Sequence, residues 1–172
     1  MKTDEIKIRL RAPEPADTDT LYIWENDPEL WPCSDNMTPL SRHALARYID
    51  NYSGDIATDG QLRLIITELD GTPVGVADLY EYSQRDRRAG VGIFIQKEYR
   101  RRGYAFQALA WLGVYCATHL GLHQLWAVVG ADNDASRALF HSAGFKTCGR
   151  LRSWLRRGRR FGDAIIYQRL FE

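Results

Sequence analysis

The sequence is poor in cysteine. Cys33, Cys116 and Cys148 are scattered over 172 residues and never form a C-x-x-C pair. That pattern argues against a disulfide framework and a thiolate zinc site, and it fits a reducing, cytoplasmic compartment. An excess of one charge is also missing: 23 Lys and Arg stand against 22 Asp and Glu, a net of +1. Overall charge therefore nominates no partner. The opening MKTDEIKIRLRAPEP has no apolar core, so no secretory signal is read. Neither a GxxxxGKS/T phosphate loop nor a GxGxxG turn after a strand occurs, which excludes the two commonest nucleotide-binding devices. Repeats and low-complexity tracts are absent as well. What remains is 45% hydrophobic and 26% charged, the composition of one globular domain that can bury a core without staples.

One run is short of charge in a telling way. From Tyr104 to Ala131 there is no Lys, Arg, Asp or Glu, nominally enough for a membrane span. Gln107, Thr118, His119, His123 and Gln124 interrupt it and Gly121 breaks it, so a buried helix followed by a buried strand is expected instead, with no membrane partner. Charge is also uneven along the chain. Residues 1–90 hold 17 acidic against 10 basic side chains and residues 91–172 hold 5 against 13. One half suits a cation and the other an anion, unless the split is surface composition alone.

Alternation of Ile6, Ile8 and Leu10 with basic residues predicts a first strand, ended by Pro13 and Pro15. Ala16 to Asn26 reads as a helix with Leu21 and Trp24 inward, and Ser41 as the N-cap of a second through about Asn51. Gln61 to Leu69 and Val74 to Tyr82 flank the Asp70-Gly71 hairpin signal. A short apolar strand, Ala89 to Ile95, follows. A helix from Tyr104 to about Leu120, a strand from Leu125 to Val129, a helix from Asn133 to Ala143 stopped by Gly144, and a terminal hairpin complete the chain. The order predicts an α+β (mixed α/β) single domain over residues 1–172, with about four helices.

The most informative stretch is Ile93-Phe94-Ile95-Gln96-Lys97-Glu98-Tyr99-Arg100-Arg101-Arg102-Gly103-Tyr104-Ala105. An apolar strand enters a loop of three arginines and a glycine, and a helix begins. A helix start offers free amides and a positive dipole end, a natural seat for a pyrophosphate. Gly103 allows close backbone approach and the arginines add charge. A solvated basic helix start would look similar.

The chain resembles the GNAT superfamily of acetyl-CoA-dependent N-acetyltransferases. Their pyrophosphate loop, Q/R-x-x-G-x-G/A, is matched by Arg100, Gly103 and Ala105. A downstream segment is matched by Asn133, Ser136, Leu139, Gly144 and Phe145. Element order agrees from about Ile6 to Phe171. In style the chain is similar to the spermidine/diamine branch and to the neighbouring branch that acetylates protein N-termini, ribosomal ones included. The resemblance implies a central, mostly antiparallel mixed sheet splayed between strands four and five. It implies acetyl-CoA as cosubstrate, no metal, and a primary-amine acceptor attacked directly in a ternary complex. Ile93, Phe94 and Ile95 would pair with the pantetheine arm, and the Ile95 amide would polarise the thioester carbonyl. Arg100, Arg101, Arg102, Gly103, Tyr104 and Ala105 would hold the pyrophosphate, and Asn133 the pantetheine unless it is only an N-cap.

Proton transfer needs further groups. Asp78 and Glu81 are the base candidates unless they are solvated strand carboxylates. Alternation places Asp78, Tyr80 and Tyr82 on one face and Leu79 and Glu81 on the other. Two departures from the family stand out. Gly90 occupies a position that is acidic in the polyamine branch. Phe140 replaces the usual Tyr of the L-Y-x-x-x-G-F run; it would pack against the thioester of the cosubstrate but has no proton to give, so Ser136 is the remaining donor to the leaving sulfur unless it is an ordinary first-turn helix residue. Glu25, Asp27, Glu29, Trp31 and Asp35 would line the acceptor pocket, where acidic and aromatic groups suit a cationic amine such as a polyamine. Phe140 and the arginines from Arg150 to Arg160 keep open a non-catalytic CoA-binding module. The hairpin arginines suit RNA, CoA phosphates or an oligomer contact. No nucleic-acid motif accompanies them, and a homodimer or larger homo-oligomer is expected.

Overall fold

The computed structural model describes residues 7–31 and 38–172; Ile6 and Asp35 lie outside them. In chain order the elements are β1 (Ile8–Arg11), α1 (Thr18–Glu25), α2 (Arg42–Asp50), α3 (Ile56–Asp59), β2 (Leu62–Glu68), β3 (Pro73–Ser83) and β4 (Arg88–Ile95). Then come α4 (Tyr104–Thr118), β5 (Gln124–Gly130), α5 (Asp134–Ser142), β6 (Lys146–Arg157) and β7 (Arg160–Leu170). The strands form one sheet ordered β1-β2-β3-β4-β5-β7-β6. Its neighbours are antiparallel except the central pair β4 and β5, which is parallel.

Each sheet face buries an apolar stripe under helices. On one face Leu79, Val91, Ala127 and Tyr167 meet Leu109 and Leu112 of α4 and Phe140 of α5. On the other, Ile65 and Val76 meet Leu21 and Trp24 of α1 and Leu45 and Ile49 of α2. Alternation along β3 and β4 thus sorts residues between the helix layers: 77, 79, 91, 93 and 95 to the α4 side, 76, 78, 80, 90, 92 and 94 to the α1 side.

Local chemistry sets the boundaries. Ser41 Oγ accepts the Ala44 amide at 3.1 Å and starts α2. Asp17 is buried, accepts two N–H groups of Arg11 at 2.7 and 2.8 Å and the Glu14 amide at 2.7 Å, and so ties β1 to the entry of α1. The charge-free run divides into α4 and β5, and no described helix is long and apolar enough to cross a membrane.

Three local expectations are corrected. A fifth helix, α3, is a single turn capped by Asp55, whose side chain accepts the Ala57 amide; one turn carries no periodicity to read. The α4 helix ends at Thr118, not Leu120. In β3 the pairing shifts between Tyr80 and Ser83, and Glu81 adopts a left-handed φ of 48°. That bulge breaks the alternation, so Tyr82 packs with the α4-side cluster instead of beside Asp78 and Tyr80.

Candidate active site

The cleft arises from how β4 leaves β5. Their ladder joins Arg88 with Gln124, Ala89 with Leu125 and Gly90 with Trp126, and then stops, although β4 continues to Ile95 and β5 to Gly130. The Gln96 amide donates to the Val74 carbonyl at 2.9 Å, which fixes the phase of the β3–β4 ladder. Residues 94 and 92 share that hydrogen-bonded phase, whereas Ile93 and Ile95 lie in the opposite one, opposed to Ala77 and Gly75. Their amides therefore point away from β3, into the gap vacated by β5. Arg100 Nε donates to the Ile95 carbonyl at 2.9 Å and closes the end of this edge.

Beyond Arg100 the chain turns sharply. Arg101 has φ 65° and Gly103 φ 87°, two left-handed residues within three, which turns successive amides toward one point. Nothing lies within 4 Å of a Cβ built at Gly103, so its need for glycine comes from the backbone angle. Among the described residues no acceptor meets the amides of residues 101–106, and the α4 ladder begins with Gln107 N–H to Gly103 C=O at 3.1 Å. Arg102 is anchored: it donates to the Glu98 carbonyl at 3.1 Å and lies 3.7 Å from Glu68. Tyr104 also bonds Glu68 and packs into the core. Ala105 is half-buried, and Arg101 is exposed. The loop offers anion-seeking amides with an arginine beside them.

The α5 wall is less open than expected. Asn133 Oδ1 accepts the Ser136 amide at 3.0 Å as the helix N-cap, leaving its amide nitrogen for a ligand. Ser136 is half-buried in the first turn. Phe140 is only 4% exposed, edge-on to Phe145 and stacked on Tyr167. Its ring is part of the core on this side of the sheet.

On the α1 side an ion network replaces the free acidic cluster that the sequence suggested. Arg63, from β2, donates to both oxygens of Asp78 at 2.8 and 2.9 Å and to Glu25 at 2.5 Å. All three side chains are mostly buried. Burial opposes the guanidinium charge, but attraction to Asp78 and Glu25 outweighs it and holds the Arg63 pKa above its ordinary value. Tyr48 faces the network, 5.9 Å from the Arg63 guanidinium, and burial pushes its hydroxyl up to about 12. Beside Asp78 the Tyr80 ring lies across Gly90, where a Cβ would collide with it. Tyr80 meets Trp126 edge-on at 5.2 Å. At Gly92 the strand is bare, and a Cβ there would touch Tyr80 and Asp78 only at 3.8 and 3.9 Å.

Other candidates lie apart from this centre. Glu29 is exposed and pairs with Lys97 at 3.4 Å, and Trp31 is exposed. Glu81 sits at the bulge beside the paired end of β4, outside the cleft. Arg150 and Arg157 are tied to Asp163 and Asp132 at 2.6 and 3.2 Å.

Residues 7–146 match the family model described as an acetyltransferase (GNAT) domain. This chain belongs to the GNAT acetyltransferases. It is 28% identical over 167 residues to an uncharacterized N-acetyltransferase, p20, of Bacillus licheniformis, covering 95% of this chain and 93% of that one. It is 32% identical over 94 residues to the uncharacterized N-acetyltransferase YoaA of Bacillus subtilis, covering 55% of this chain and 53% of its relative. The fold is similar to the spermidine N-acetyltransferase of Vibrio cholerae solved with CoA and spermine, with TM-score 0.84, 22% identity and 95% of each chain covered.

In this GNAT enzyme the amides of 93 and 95 and the unfilled amides of 101–106, with Arg101 beside them, form a row of open donors along one side of the cleft. Sequence reading missed Arg63, Tyr80 and Trp126. The signal for Arg63 was present, since it is the one basic residue in the apolar strand L-R-L-I-I-T-E.

Proposed function

We propose that this acetyltransferase moves the acetyl group of acetyl-CoA onto the primary amine of a small cationic acceptor, by direct attack in a ternary complex. The carrying observation is the phase of β4, which directs the Ile93 and Ile95 amides into the gap left by β5. The Ile95 amide would polarise the thioester carbonyl. Arg100 to Ala105 and the Asn133 amide nitrogen would fix the cosubstrate, and Ser136 would donate to the leaving sulfur. A thiol of pKa about 8.5 leaves without a strong acid, so Phe140 in place of tyrosine does not forbid turnover. The acceptor would approach over Gly92, where Asp78 and Glu25 place negative charge, and its proton would leave, directly or through water, to Asp78, whose oxygens each keep a lone pair beside the Arg63 hydrogen bonds.

A spermidine- or spermine-like acceptor is supported by the spermine held by the Vibrio cholerae neighbour. A protein N-terminal amine is the second reading, favoured by Arg63, which already neutralises part of the acidic charge a polyamine would need. A second copy of the chain is supported by the outer stripe of α4, where Phe106, Trp111 and Val114 are exposed on a helix with no charged residue. The test is CoA thiol release from acetyl-CoA with spermidine, spermine, simple alkylamines and N-terminal peptides. Release with at least one amine is expected. Tight CoA binding without release for any of them would make the chain a binding module.

A further inference from the structure

The loop between β4 and α4 keeps a backbone that needs outside support. Arg101 is left-handed at φ 65° without being a glycine, a strained conformation that persists only where its surroundings hold it. Several side-chain ties of the loop are short-range. Arg100 Nε donates to the Ile95 carbonyl, Arg102 donates to the Glu98 carbonyl, and the Arg102 guanidinium lies over the Tyr99 ring at 5.1 Å. These join the loop to itself and to the end of β4. Glu68 joins it to the far strands of the sheet. It ends β2, opposite Ile8 of β1. The turn after it is pinned by the Glu68 amide on the Thr72 carbonyl at 2.9 Å and the Gly71 amide on the Glu68 carbonyl at 3.1 Å. Its half-buried carboxylate accepts from the Tyr104 hydroxyl and lies 3.7 Å from the Arg102 guanidinium. One carboxylate thus grips the residues on both sides of Gly103. Tyr104 is 7% exposed, so removing that acceptor strands a buried hydroxyl. One turn along, the Lys7 amide, just before β1, donates to Gln107 Oε1 at 3.0 Å.

We propose that Glu68 is a positioning residue for the cosubstrate: it holds Arg102 and Tyr104 so that the amides of 101–106 converge on one diphosphate. This role rests on the reading of the loop as the diphosphate seat of an acetyltransferase. Glu68 acts through the loop and touches neither the thioester nor the amine. By engaging Arg102 it leaves Arg101, which is exposed, as the guanidinium beside the anion. Without Glu68 the loop relaxes, and a ligand must reorder it on binding. The cost falls on ligands that carry a diphosphate. It spares the thioester end, whose proposed partners are the Ile93 and Ile95 amides of β4.

The experiment compares acetyl-CoA with S-acetylpantetheine, the same thioester without the diphosphate and nucleotide. The proteins are the native enzyme, Glu68→Ala, Glu68→Gln and Tyr104→Phe. CoA affinity is read by titration calorimetry, which needs no acceptor, and kcat and KM are read with an amine the native enzyme accepts. Glu68→Ala should weaken CoA binding and raise the acetyl-CoA KM about tenfold, while kcat and the kcat/KM of S-acetylpantetheine stay within about twofold. Glu68→Gln, whose amide oxygen still accepts from Tyr104, should recover most of the affinity. Tyr104→Phe should lose about threefold, and adding it to Glu68→Ala should cost little more, because both remove one contact. A general loss of structure would lower both thioesters alike. That result, or CoA affinity in Glu68→Ala within about twofold of native, overturns the proposal. A native enzyme that uses both thioesters equally well overturns it too, since the loop then holds no diphosphate. If Glu68→Ala fails to fold, Tyr104→Phe carries the test, and native CoA affinity in it is the overturning result. Failure of the acetyltransfer reading is distinct: the native enzyme would then release no CoA with any amine, while calorimetry would still read the effect of Glu68 on CoA binding.

Discussion

The two sides of the β4–β5 cleft are built from different materials. The proposed cosubstrate side is backbone: strand amides at 93 and 95, loop amides at 101–106, and two left-handed residues that aim them. The proposed acceptor side gathers side chains from three distant segments, Glu25, Arg63 and Asp78, locked by mutual charge. A site made of amides persists while sequences diverge; a site made of paired charges changes its ligand with one substitution. This fits a chain whose fold is shared at 22% identity with a neighbour solved in complex with CoA and spermine.

The contrast can be broken in order of expected effect. Gly103→Glu places a side chain at φ 87° and an anion among the free amides. It should weaken CoA binding about hundredfold or more in calorimetry, from strain plus charge conflict, with little change in melting temperature. Retained affinity would remove the loop from the cosubstrate site.

Asp17→Asn strikes the tie between β1 and α1 that supports the acceptor side. It should cost about 2 kcal/mol in denaturant unfolding at neutral pH, while CoA affinity stays near native. Burial raises the pKa of Asp17, but the Arg11 and Glu14 hydrogen bonds more than offset that and hold it below the usual carboxylate range. Its stabilisation is therefore complete above the ordinary aspartate value of about 3.9. It fades as pH falls through the lower folded value, and the gap between native and variant melting curves should close at acid pH. A gap that does not change with pH would contradict the assignment.

Ser136→Ala tests the one side chain given a chemical task on the cosubstrate side. It should lower kcat by about threefold with acetyl-CoA affinity unchanged, a modest loss because a thiolate leaves readily. Phe140→Tyr should do least to chemistry. The ring is packed between Phe145 and Tyr167, so the new hydroxyl should cost about 1 kcal/mol of stability and leave kcat within about twofold. A large gain in kcat would mean that the hydroxyl reaches the cleft.

Legibility in the sequence follows the same division. The loop from Arg100 to Ala105 could be read because a strand, a glycine and a helix start are local signals, and the splay followed from the family resemblance. Strand phase was readable wherever alternation ran unbroken, as at Asp78 and Tyr80. It failed at Tyr82, because a bulge at Glu81 leaves no mark except a side chain forced to φ 48°. Arg63 escaped because its partners lie 38 and 15 positions away, and no spacing rule connects them. Glu25 was named as an acceptor residue and Asp78 as a base candidate, but Arg63, which donates to both, was not.

The sheet itself is divided. Three rungs join the block β1–β4 to the block β5, β7 and β6, with α4 packed across them on one face and the Tyr80–Trp126 ring contact between β3 and β5 on the other. The molecule is two half-sheets joined by a short ladder, and a long ligand laid in the opening would work as an added rung. Saturation at a hundred times Kd would stabilise the folded state by about 2.7 kcal/mol, and backbone amides on both banks, those of Ile95 and of Val128, which lies in the phase that faces away from β7, should slow their hydrogen exchange together.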